Sequence, residues 1–287
     1  MKKLVITTFT DPMMGLSYES EPLFRKLETH FPDQIEFRTV MSLLVRDARD
    51  FMSPEERALE PGEGFRRYNA RLAQIYKSEE TIGGMPICME GFDLFAPDRP
   101  SSLPLCLAYE AVRLVDPDRA ERFLYRLRYA TIVETRPTTK INEILKVVQQ
   151  TGIAPNLFWA AYTDGSARAA LEKDLLETRR LGIRSLPAHL IQYGDRGYLL
   201  QSFSYEDYVT VIRDLTDGAV LPQKVISPME AVKTLLAAHP LISPFEIMAA
   251  LELPSLEEVQ VLLQPLLLSG TAAVRVVSHG WFVQRDG

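Results

Sequence analysis

The amino-acid sequence predicts an α/β fold with a long helical insertion, followed by a small α+β domain. Strand and helix patterns alternate near the N-terminal end, helical periodicity then dominates, and a hairpin pattern and a helix follow. Residues 101–182 are almost unbroken in their helical pattern, whereas residues 225–287 contain three closely spaced helix starts. We therefore predict a first domain at residues 1–218, with its helical insertion at about 65–182, and a second domain at 225–287.

The first elements are a strand, a helix and a second strand. Residues 4–9 form a short, mainly apolar run, and residues 22–27 have apolar side chains at helical spacing. Residues 35–41 alternate between apolar and polar side chains, as in a half-buried strand. A polar stretch rich in Arg, Glu, Pro and Gly then continues to about residue 68.

Strands return after the insertion. Gly182 marks the end of the last inserted helix, because glycine commonly follows a helix C-terminus. Residues 189–193 and 198–203 are predicted as two strands joined by the turn at 194–197. Residues 205–215 predict the last helix of the first domain.

The strand-to-helix junction at residues 11–18 reads Asp-Pro-Met-Met-Gly-Leu-Ser-Tyr. It resembles the DsbA-like (FrnE-type) branch of the thioredoxin-fold proteins, in which this position commonly reads Asp-Pro-Met-Cys-x-x-Cys-Tyr. Met14 and Ser17 stand where that family has its two cysteines. Residues 183–191, which contain Pro187, are similar to the family's Thr-Gly-Phe-Pro-Thr segment, whose proline is cis and faces the active-site helix. The resemblance implies a thioredoxin-like fold with a DsbA-type helical insertion.

The replaced cysteines exclude dithiol chemistry at this junction. Disulfide exchange needs a thiolate, which a helix N-terminus favours, and a second thiol that resolves the mixed disulfide. The Met14 thioether cannot ionise, and the Ser17 hydroxyl is too weak an acid for a helix dipole alone to activate it. Cys88 and Cys106 are too few and too widely spaced for a disulfide framework or a zinc site, and free cysteines are usually buried.

The resemblance also implies a binding function that needs no sulfur. In the family, the segment before the proline presents backbone groups on which an extended peptide or glutathione can lie as an added strand. The expected ligand-binding residues are Met14, Gly15, Leu16, Ser17, Ser185, Leu186 and Pro187. The leading hypothesis is a DsbA-family protein that has lost its redox activity and acts, without a cofactor, as a peptide- or protein-binding adaptor.

The alternative hypothesis is a glutathione-dependent enzyme. The kappa-class glutathione transferases and 2-hydroxychromene-2-carboxylate isomerases, which are related thioredoxin-fold enzymes, hold a glutathione thiolate with a serine at the helix start. Ser17 is the candidate catalytic residue on this hypothesis, although the serine of those enzymes occupies the first cysteine position, which is Met14 here. His189 could activate Ser17, with Asp11 as the orienting group. An ordinary hydrogen bond is the preferred interpretation for this strand histidine.

A basic stretch within the insertion contains Arg113, Arg119, Arg122, Arg126 and Arg128. It could receive an acidic partner or a carboxylate ligand. Acidic residues interleave with it, at Glu110, Asp116, Asp118 and Glu121. The preferred interpretation is therefore a solvated helix face with ion pairs between residues four apart.

The second domain resembles a winged helix, with three helices and a hairpin at residues 272–277 and 281–284. Each helix begins with a capping-box pattern, in which a serine and a glutamate exchange hydrogen bonds with the backbone, at Ser227, Ser243 and Ser255. Winged helices most often bind DNA, but this domain contains three basic and six acidic residues, a net charge of −3. We therefore expect a protein contact or a homodimer, with a DNA-binding regulator as the second alternative.

The composition limits the remaining functions. The chain has 287 residues, a net charge of −6 and a pI near 5.4, which disfavours general binding to nucleic acids or anionic membranes. The first apolar run is shorter than the ~7–15 residues of a signal peptide, and no run approaches the ~20 residues of a membrane span. We expect a cytoplasmic protein. The four histidines lack ligand spacing, so no metal site is predicted.

Overall fold

The computed structural model describes residues 3–285; Met1, Lys2, Asp286 and Gly287, the ends of the two predicted domains, lie outside the described residues. Four strands form the first sheet: β1 (Leu4–Thr10), β2 (Ile35–Met41), β3 (Ala188–Tyr193) and β4 (Arg196–Leu200). Their order is β2-β1-β3-β4, with β1 parallel to β2 and β3 antiparallel to both of its neighbours. The predicted strands are confirmed, although β4 lies two to three residues before its predicted position.

Helices surround this sheet. In chain order they are α1 (Gly15–Glu19), α2 (Glu21–His30), α3 (Pro54–Ala58), α4 (Pro61–Gly83), α5 (Leu103–Val115), α6 (Ala120–Ile132), α7 (Ile141–Gln150), α8 (Pro155–Thr163), α9 (Ser166–Arg180) and α10 (Tyr205–Leu215). On one face of the sheet, Leu4 and Ile6 pack in a cluster with Leu27 of α2 and Ile212 of α10. None of the helices within residues 3–285 combines the length and apolar character that a membrane crossing requires.

Helix α4 is the main difference between the predicted and the observed elements. Two glycines in its first turn and many charged residues weaken its helical signal. Packing stabilises the helix instead, because Phe65 and other aromatic side chains are buried in the core of the insertion. Gly64 permits a close approach, since a Cβ atom there would lie 2.4 Å from the Glu56 carbonyl oxygen. A 3-10 turn at Ala48–Phe51 and the short helix α3 precede α4 within the polar stretch for which no helix or strand was predicted.

The C-terminal part has the predicted three helices and hairpin, and adds one short strand. Its elements are α11 (Pro228–Ala238), β5 (Leu241–Ile242), α12 (Pro244–Leu251), α13 (Leu256–Leu268), β6 (Ala272–Val277) and β7 (Gly280–Arg285). The strand order is β5-β7-β6. This small α+β arrangement has the element order of a winged helix, and we refer to residues 225–285 as the C-terminal module.

One of the three predicted capping boxes is complete. Both reciprocal hydrogen bonds are present at Ser243. Ser255 accepts a hydrogen bond from the Glu258 backbone N–H without the return bond. Ser227 makes no side-chain cap, and the Glu230 side chain lies 2.8 Å from Lys233.

The C-terminal module is packed firmly against the rest of the chain. Its Phe282 is fully buried in the core of the insertion, where its ring lies edge-on to that of Tyr129 with the centroids 4.8 Å apart. Helix α12 lies against α2, and Lys26 Nζ lies 2.9 Å from Glu252 Oε1. The core of the insertion therefore includes a side chain of the module, while the module keeps a separate apolar core of its own.

Candidate functional site

The start of α1, which carries the two replaced cysteine positions, is closed by α4. Met14 directly precedes the helix and is 6% exposed. The Tyr76 hydroxyl donates a hydrogen bond to the Met13 carbonyl oxygen, and a Cβ atom on Gly15 would lie 1.9 Å from Glu79 Oε2. We call Tyr76 and Glu79 the helix-start cover. Because of this cover, Met14 and Gly15 do not face an open groove.

A buried carboxyl group of α1 binds the end of α4 beside this cover. Oε2 of Glu19 accepts hydrogen bonds from the backbone N–H groups of Gly83, at 2.9 Å, and Met85, at 3.2 Å. Burial raises the pKa of Glu19 to about 8, although these two hydrogen bonds oppose the shift. Burial also raises the pKa of Glu79 to about 7. Both groups near the helix start therefore hold a proton at higher pH than an exposed glutamate does.

Glu19→Gln is expected to reduce the pH dependence of stability. The pKa of Glu19 in the folded protein, about 8, lies above its ordinary value of 4.5. The folded protein binds the Glu19 proton more tightly than the unfolded chain does. The stability that results is fully present below the unfolded-state pKa and is lost as the pH rises toward 8. Between about pH 5 and about pH 8.5, the wild-type protein should lose on the order of 3 kcal/mol more than the variant.

Urea unfolding at each pH measures this difference. Glu90→Gln is the matched control, because Glu90 is exposed in a loop, and its pH profile should match that of the wild type. Identical profiles for Glu19→Gln and the wild type would contradict the assigned role of the buried carboxyl group.

The structure does not assemble the hypothetical group of Ser17, His189 and Asp11. Ser17 is 3% exposed, and its Oγ lies 2.6 Å from Thr10 Oγ1. Nδ1 of His189 lies 3.1 Å from Thr8 Oγ1, and burial lowers the pKa of His189 to about 3. Within residues 3–285, no hydrogen bond joins any two members of the group. The interpretation of His189 as a strand histidine with an ordinary hydrogen bond is confirmed.

Asp11 is a buried structural anchor. Its carboxylate accepts hydrogen bonds from two backbone N–H groups, including that of Leu44 at 2.8 Å, and from the Ser102 hydroxyl at 2.6 Å. Cys106 Sγ lies 3.5 Å from the same oxygen as Ser102, and burial raises the pKa of the Cys106 thiol. Cys88 and Cys106 are both free and buried, as predicted. The structure therefore gives no exposed thiolate at either cysteine.

An open groove of about 180 Å³ lies beside Pro187, whose peptide bond with Leu186 is cis. It is lined by Leu16, Ser185, Leu186, Pro187, Gln201 and Phe203, among others, and we call it the cis-proline groove. Four of the predicted ligand-binding residues therefore come together here, whereas Met14, Gly15 and Ser17 do not line this groove. The Gln201 side-chain amide donates a hydrogen bond to the exposed Ser185 carbonyl oxygen at 3.0 Å.

The basic stretch of the insertion is partly buried, which corrects its interpretation as a solvated helix face. Arg126 and Arg128 are 8% and 5% exposed. Their ion pairs are with residues distant from the expected helical spacing, since Arg126 Nη2 lies 2.9 Å from Glu134 and Arg128 Nη1 lies 3.0 Å from Glu21. Tertiary contacts, which local spacing does not report, therefore decide how these arginines are placed.

A buried ion network joins α2, α6 and α12. Arg25 Nη2 lies 2.7 Å from Glu21 Oε2, and Arg25 Nε lies 3.3 Å from Glu246 Oε1. The Tyr125 hydroxyl donates a hydrogen bond to Glu246 Oε2 at 2.6 Å, and Arg128 contacts the other oxygen of Glu21. This network was not predicted from the sequence. The spacing of Glu21 and Arg25, four residues apart on α2, was the available signal.

A second open surface lies on the C-terminal module, between α13 and the hairpin of β6 and β7. This groove has a volume of about 550 Å³ and is lined mainly by apolar side chains, including Val261, Leu267, Val274, Val276 and Trp281. We call it the C-terminal groove. Val261 and Val276 are 66% and 79% exposed. Contiguous exposed apolar surface of this kind is typical of protein contact sites.

The chain is similar to proteins of two kinds. It is 21% identical, over 285 residues, to the ClpXP adapter protein SpxH of Halalkalibacterium halodurans, and the match covers 98% of this chain and 88% of SpxH. The fold is similar to that of the cytosolic disulfide reductase DsbM of Pseudomonas aeruginosa, with a TM-score of 0.56 and 16% identity over 75% of this chain and 100% of DsbM. DsbM with GSH gives a TM-score of 0.54 and 17% identity, over 74% and 99% of the two chains.

The thioredoxin-like fold with a DsbA-type insertion is confirmed by these structures. A family model described as Thioredoxin matches residues 7–208, which include nearly all of the first sheet and the whole insertion. The chain therefore belongs to the thioredoxin family, with Met14 and Ser17 at the two positions that the redox members fill with cysteine.

Proposed function

We propose that this protein is a non-redox adaptor, which binds segments of other proteins and brings two partners together. The observation that carries the proposal is a closed helix start without sulfur, accompanied by two open surfaces, the cis-proline groove and the C-terminal groove. Disulfide exchange needs an accessible thiolate, whereas an adaptor needs two separate contact surfaces. We propose that residues 1–218 and 225–287 are the structural units that carry one surface each.

The cis-proline groove suits an extended peptide. Ser185 is exposed, and its carbonyl oxygen accepts a hydrogen bond from the Gln201 side chain. A peptide N–H group can replace that side-chain donor, so a partner segment would lie along Ser185 and Leu186 as an added strand. The apolar side chains of Leu16 and Phe203 would contact its side chains.

The C-terminal groove suits a larger apolar segment of a partner. Strand β6 lies at the edge of its sheet and presents Val274 and Val276 to solvent. An exposed edge strand with apolar side chains is a favourable site for contact with a second chain. The module carries a net charge of −3, which favours a partner with basic residues around its apolar contact. A second copy of this chain is the alternative occupant.

The similarity to SpxH supports an adaptor function for the whole chain, because the match covers 98% of it and thus includes both units. SpxH is a ClpXP adapter protein. We propose that ClpXP is one partner of this protein and that the other partner is a protein substrate.

The position of Ser17 does not favour the glutathione-dependent alternative. Its hydroxyl is bonded to Thr10 in the protein interior and does not line the cis-proline groove. The similarity to DsbM with GSH concerns the fold alone. Ser17 does line a separate cavity of about 190 Å³ with Arg25 and Arg128, but its hydroxyl is already hydrogen-bonded to Thr10.

Degradation by purified ClpXP is the test of this proposal. Photo-crosslinkers at Leu186 and Val276 of the full chain would identify candidate partners in a cell extract, and each candidate would then be degraded with and without this protein. Degradation of at least one candidate should accelerate. Val261→Asp combined with Val276→Asp should weaken binding of the partner at the C-terminal groove by at least about 30-fold, the effect of losing an interface hot spot.

Ile226→Asp is the matched control, because Ile226 is exposed and apolar but lies outside both grooves. It should leave binding and degradation unchanged. The proposal fails if no captured protein is degraded faster, or if the control weakens binding as much as the groove variant. Sedimentation analysis of the free protein separates a homodimer at the groove from a different partner.

A further inference from the structure

A cavity of about 220 Å³ lies between the insertion and the C-terminal module, apart from both grooves. Arg122 and Arg126 of α6 line one side of it. Arg275 of β6 and Arg285 of β7 line the other side. We call it the arginine cavity. Its four guanidinium groups come from two parts of the chain that meet only in the folded protein.

The arginine cavity is basic although the chain as a whole carries a net charge of −6. Among the described residues, no carboxylate side chain lines it. Glu134 lies beside it and is shared at 2.6–3.2 Å by three arginines, Arg126, Arg136 and Arg275. Arg122 and Arg285 form no salt bridge within residues 3–285. Among residues 3–285, the four lining arginines are opposed by Glu134 beside them and by Glu28, which lies 2.8 Å from the lining residue His239.

Arg126, a residue of the cavity lining, carries a buried donor that lacks a partner among residues 3–285. Arg126 is 8% exposed, and its Nη1 is buried without a hydrogen-bond partner in the described part of the chain. The Arg126 and Arg275 guanidinium groups lie over the Tyr129 ring, 5.0 and 5.2 Å from its centroid. Burial of Arg126, together with the charges of Arg136 and Arg275, lowers its pKa, whereas Glu134 opposes the shift. An unpartnered buried donor is unfavourable, so Arg126 retains hydrogen-bonding capacity for a ligand that reaches it.

We propose that the arginine cavity binds the phosphate or carboxylate groups of a compact, multiply charged anion. Arginine forms strong, directional hydrogen bonds with both kinds of oxyanion. The volume of 220 Å³ lies below the ~300–1,000 Å³ of sites for drug-sized ligands, which indicates a small metabolite rather than a nucleotide cofactor. This inference does not depend on the proposed adaptor function.

The bound anion would strengthen the existing contact between the C-terminal module and the insertion, because it would contact arginines from both. A ligand that binds only the assembled cavity stabilises the folded protein in proportion to its concentration over Kd. Exchange of backbone amides in β6 and β7 would slow at the same time. The cavity would thus link the level of a small anion to the stability of the C-terminal module on the insertion.

Calorimetric titration of the full chain with pyrophosphate and with citrate, at constant ionic strength, tests this proposal. At least one of the two probes should bind saturably with a Kd below about 1 mM and raise Tm. Binding of pyrophosphate alone indicates a phosphate ligand, binding of citrate alone a carboxylate ligand, and binding of both a general oxyanion site. Arg122→Gln and Arg285→Gln should each weaken the binding by about tenfold, the effect of one charged hydrogen bond.

Arg196→Gln is the matched control, because Arg196 is an exposed arginine far from the cavity lining that pairs with Asp217. It should bind the probes like the wild type. Saturable binding that persists unchanged in the Arg122→Gln, Arg285→Gln double variant would overturn the proposal. Absence of binding and of a Tm shift at about 10 mM of both probes would also overturn it. Both variants alter exposed side chains, so they should fold.

Discussion

Replacing Arg25 with methionine is expected to lower the free energy of unfolding by about 3–5 kcal/mol, because it leaves buried carboxylates without a shared partner. The Arg25 side chain is 12% exposed and lies 2.7 Å from Glu21 and 3.3 Å from Glu246. Glu246 is fully buried on α12. Arg25 therefore links α2, which packs on the first sheet, to the C-terminal module.

Chemical denaturation followed by circular dichroism measures this loss. Arg196→Met is the control for an exposed pair, since Arg196 and Asp217 are 50% and 84% exposed, and it should cost less than about 1 kcal/mol. Adding Glu246→Gln to Arg25→Met should recover part of the loss, because one buried charge is removed with its partner. A loss in Arg25→Met no greater than that of the exposed control would refute this account of the network.

The cost of Arg25→Met should also increase with pH. Burial raises the pKa of Glu246 to about 7, and Arg25 opposes this shift. Without Arg25, the Glu246 carboxyl group holds its proton more strongly and is neutral in mildly acidic solution. Stability linked to this proton is present below the ordinary pKa of 4.5 and is lost as the pH rises through the folded-state pKa. The variant should therefore be closer to the wild type in acid than at alkaline pH.

This network bears on the proposed adaptor because it fixes the relative positions of the two grooves. Phe282 adds an apolar contact in the core of the insertion to the ion pairs of Arg25. Two partners bound at the cis-proline groove and the C-terminal groove would then be held at a defined separation. A flexible linker would bring them together at lower effective concentration.

Local sequence pattern predicted the first sheet well and α4 poorly, for different physical reasons. Residues 35–41 have the sequence pattern of a strand and form β2, although burial along β2 does not alternate: residues 35–38 are half-buried or exposed, and residues 39–41 are buried. Helix α4 starts with glycines that favour the unfolded chain, and it is stabilised by contacts such as that of Phe65 with the insertion core. Contacts between distant segments leave little trace in local pattern.

In the candidate site, too, features that depend on neighbouring residues were predictable, and features that depend on distant segments were not. Ser185, Leu186 and Pro187 adjoin one another in sequence, so their shared position on one groove was predictable. The closure of the helix start was not, because Tyr76 lies 63 residues from the Met13 carbonyl that it contacts. The replaced cysteines were visible in the sequence, whereas the cover over their positions was visible only in the fold.

Restoring both cysteines, with Met14→Cys and Ser17→Cys, is therefore expected not to restore disulfide exchange. Both positions are buried, and Tyr76 and Glu79 cover the helix start at Gly15, although Ser17 lines a cavity of about 190 Å³. Burial raises the pKa of a thiol, and a thiolate without access to solvent cannot attack a disulfide. The rate at which the double variant reduces insulin should remain within about twofold of the wild-type rate. Its new thiols should react with a disulfide reagent on the order of 100-fold more slowly than a free thiol.

Two further variants separate closure from misfolding. Leu16→Cys should react readily, because Leu16 lines the open cis-proline groove between the two buried positions. Adding Tyr76→Ala and Glu79→Ala to the double cysteine variant should accelerate its thiol reaction by at least about tenfold, since it removes the helix-start cover. Rapid turnover by the double cysteine variant with the cover intact would show that missing sulfur alone stops the chemistry. Slow turnover that becomes faster when Tyr76 and Glu79 are removed would show that the closed helix start, as well as the two replaced residues, prevents disulfide exchange.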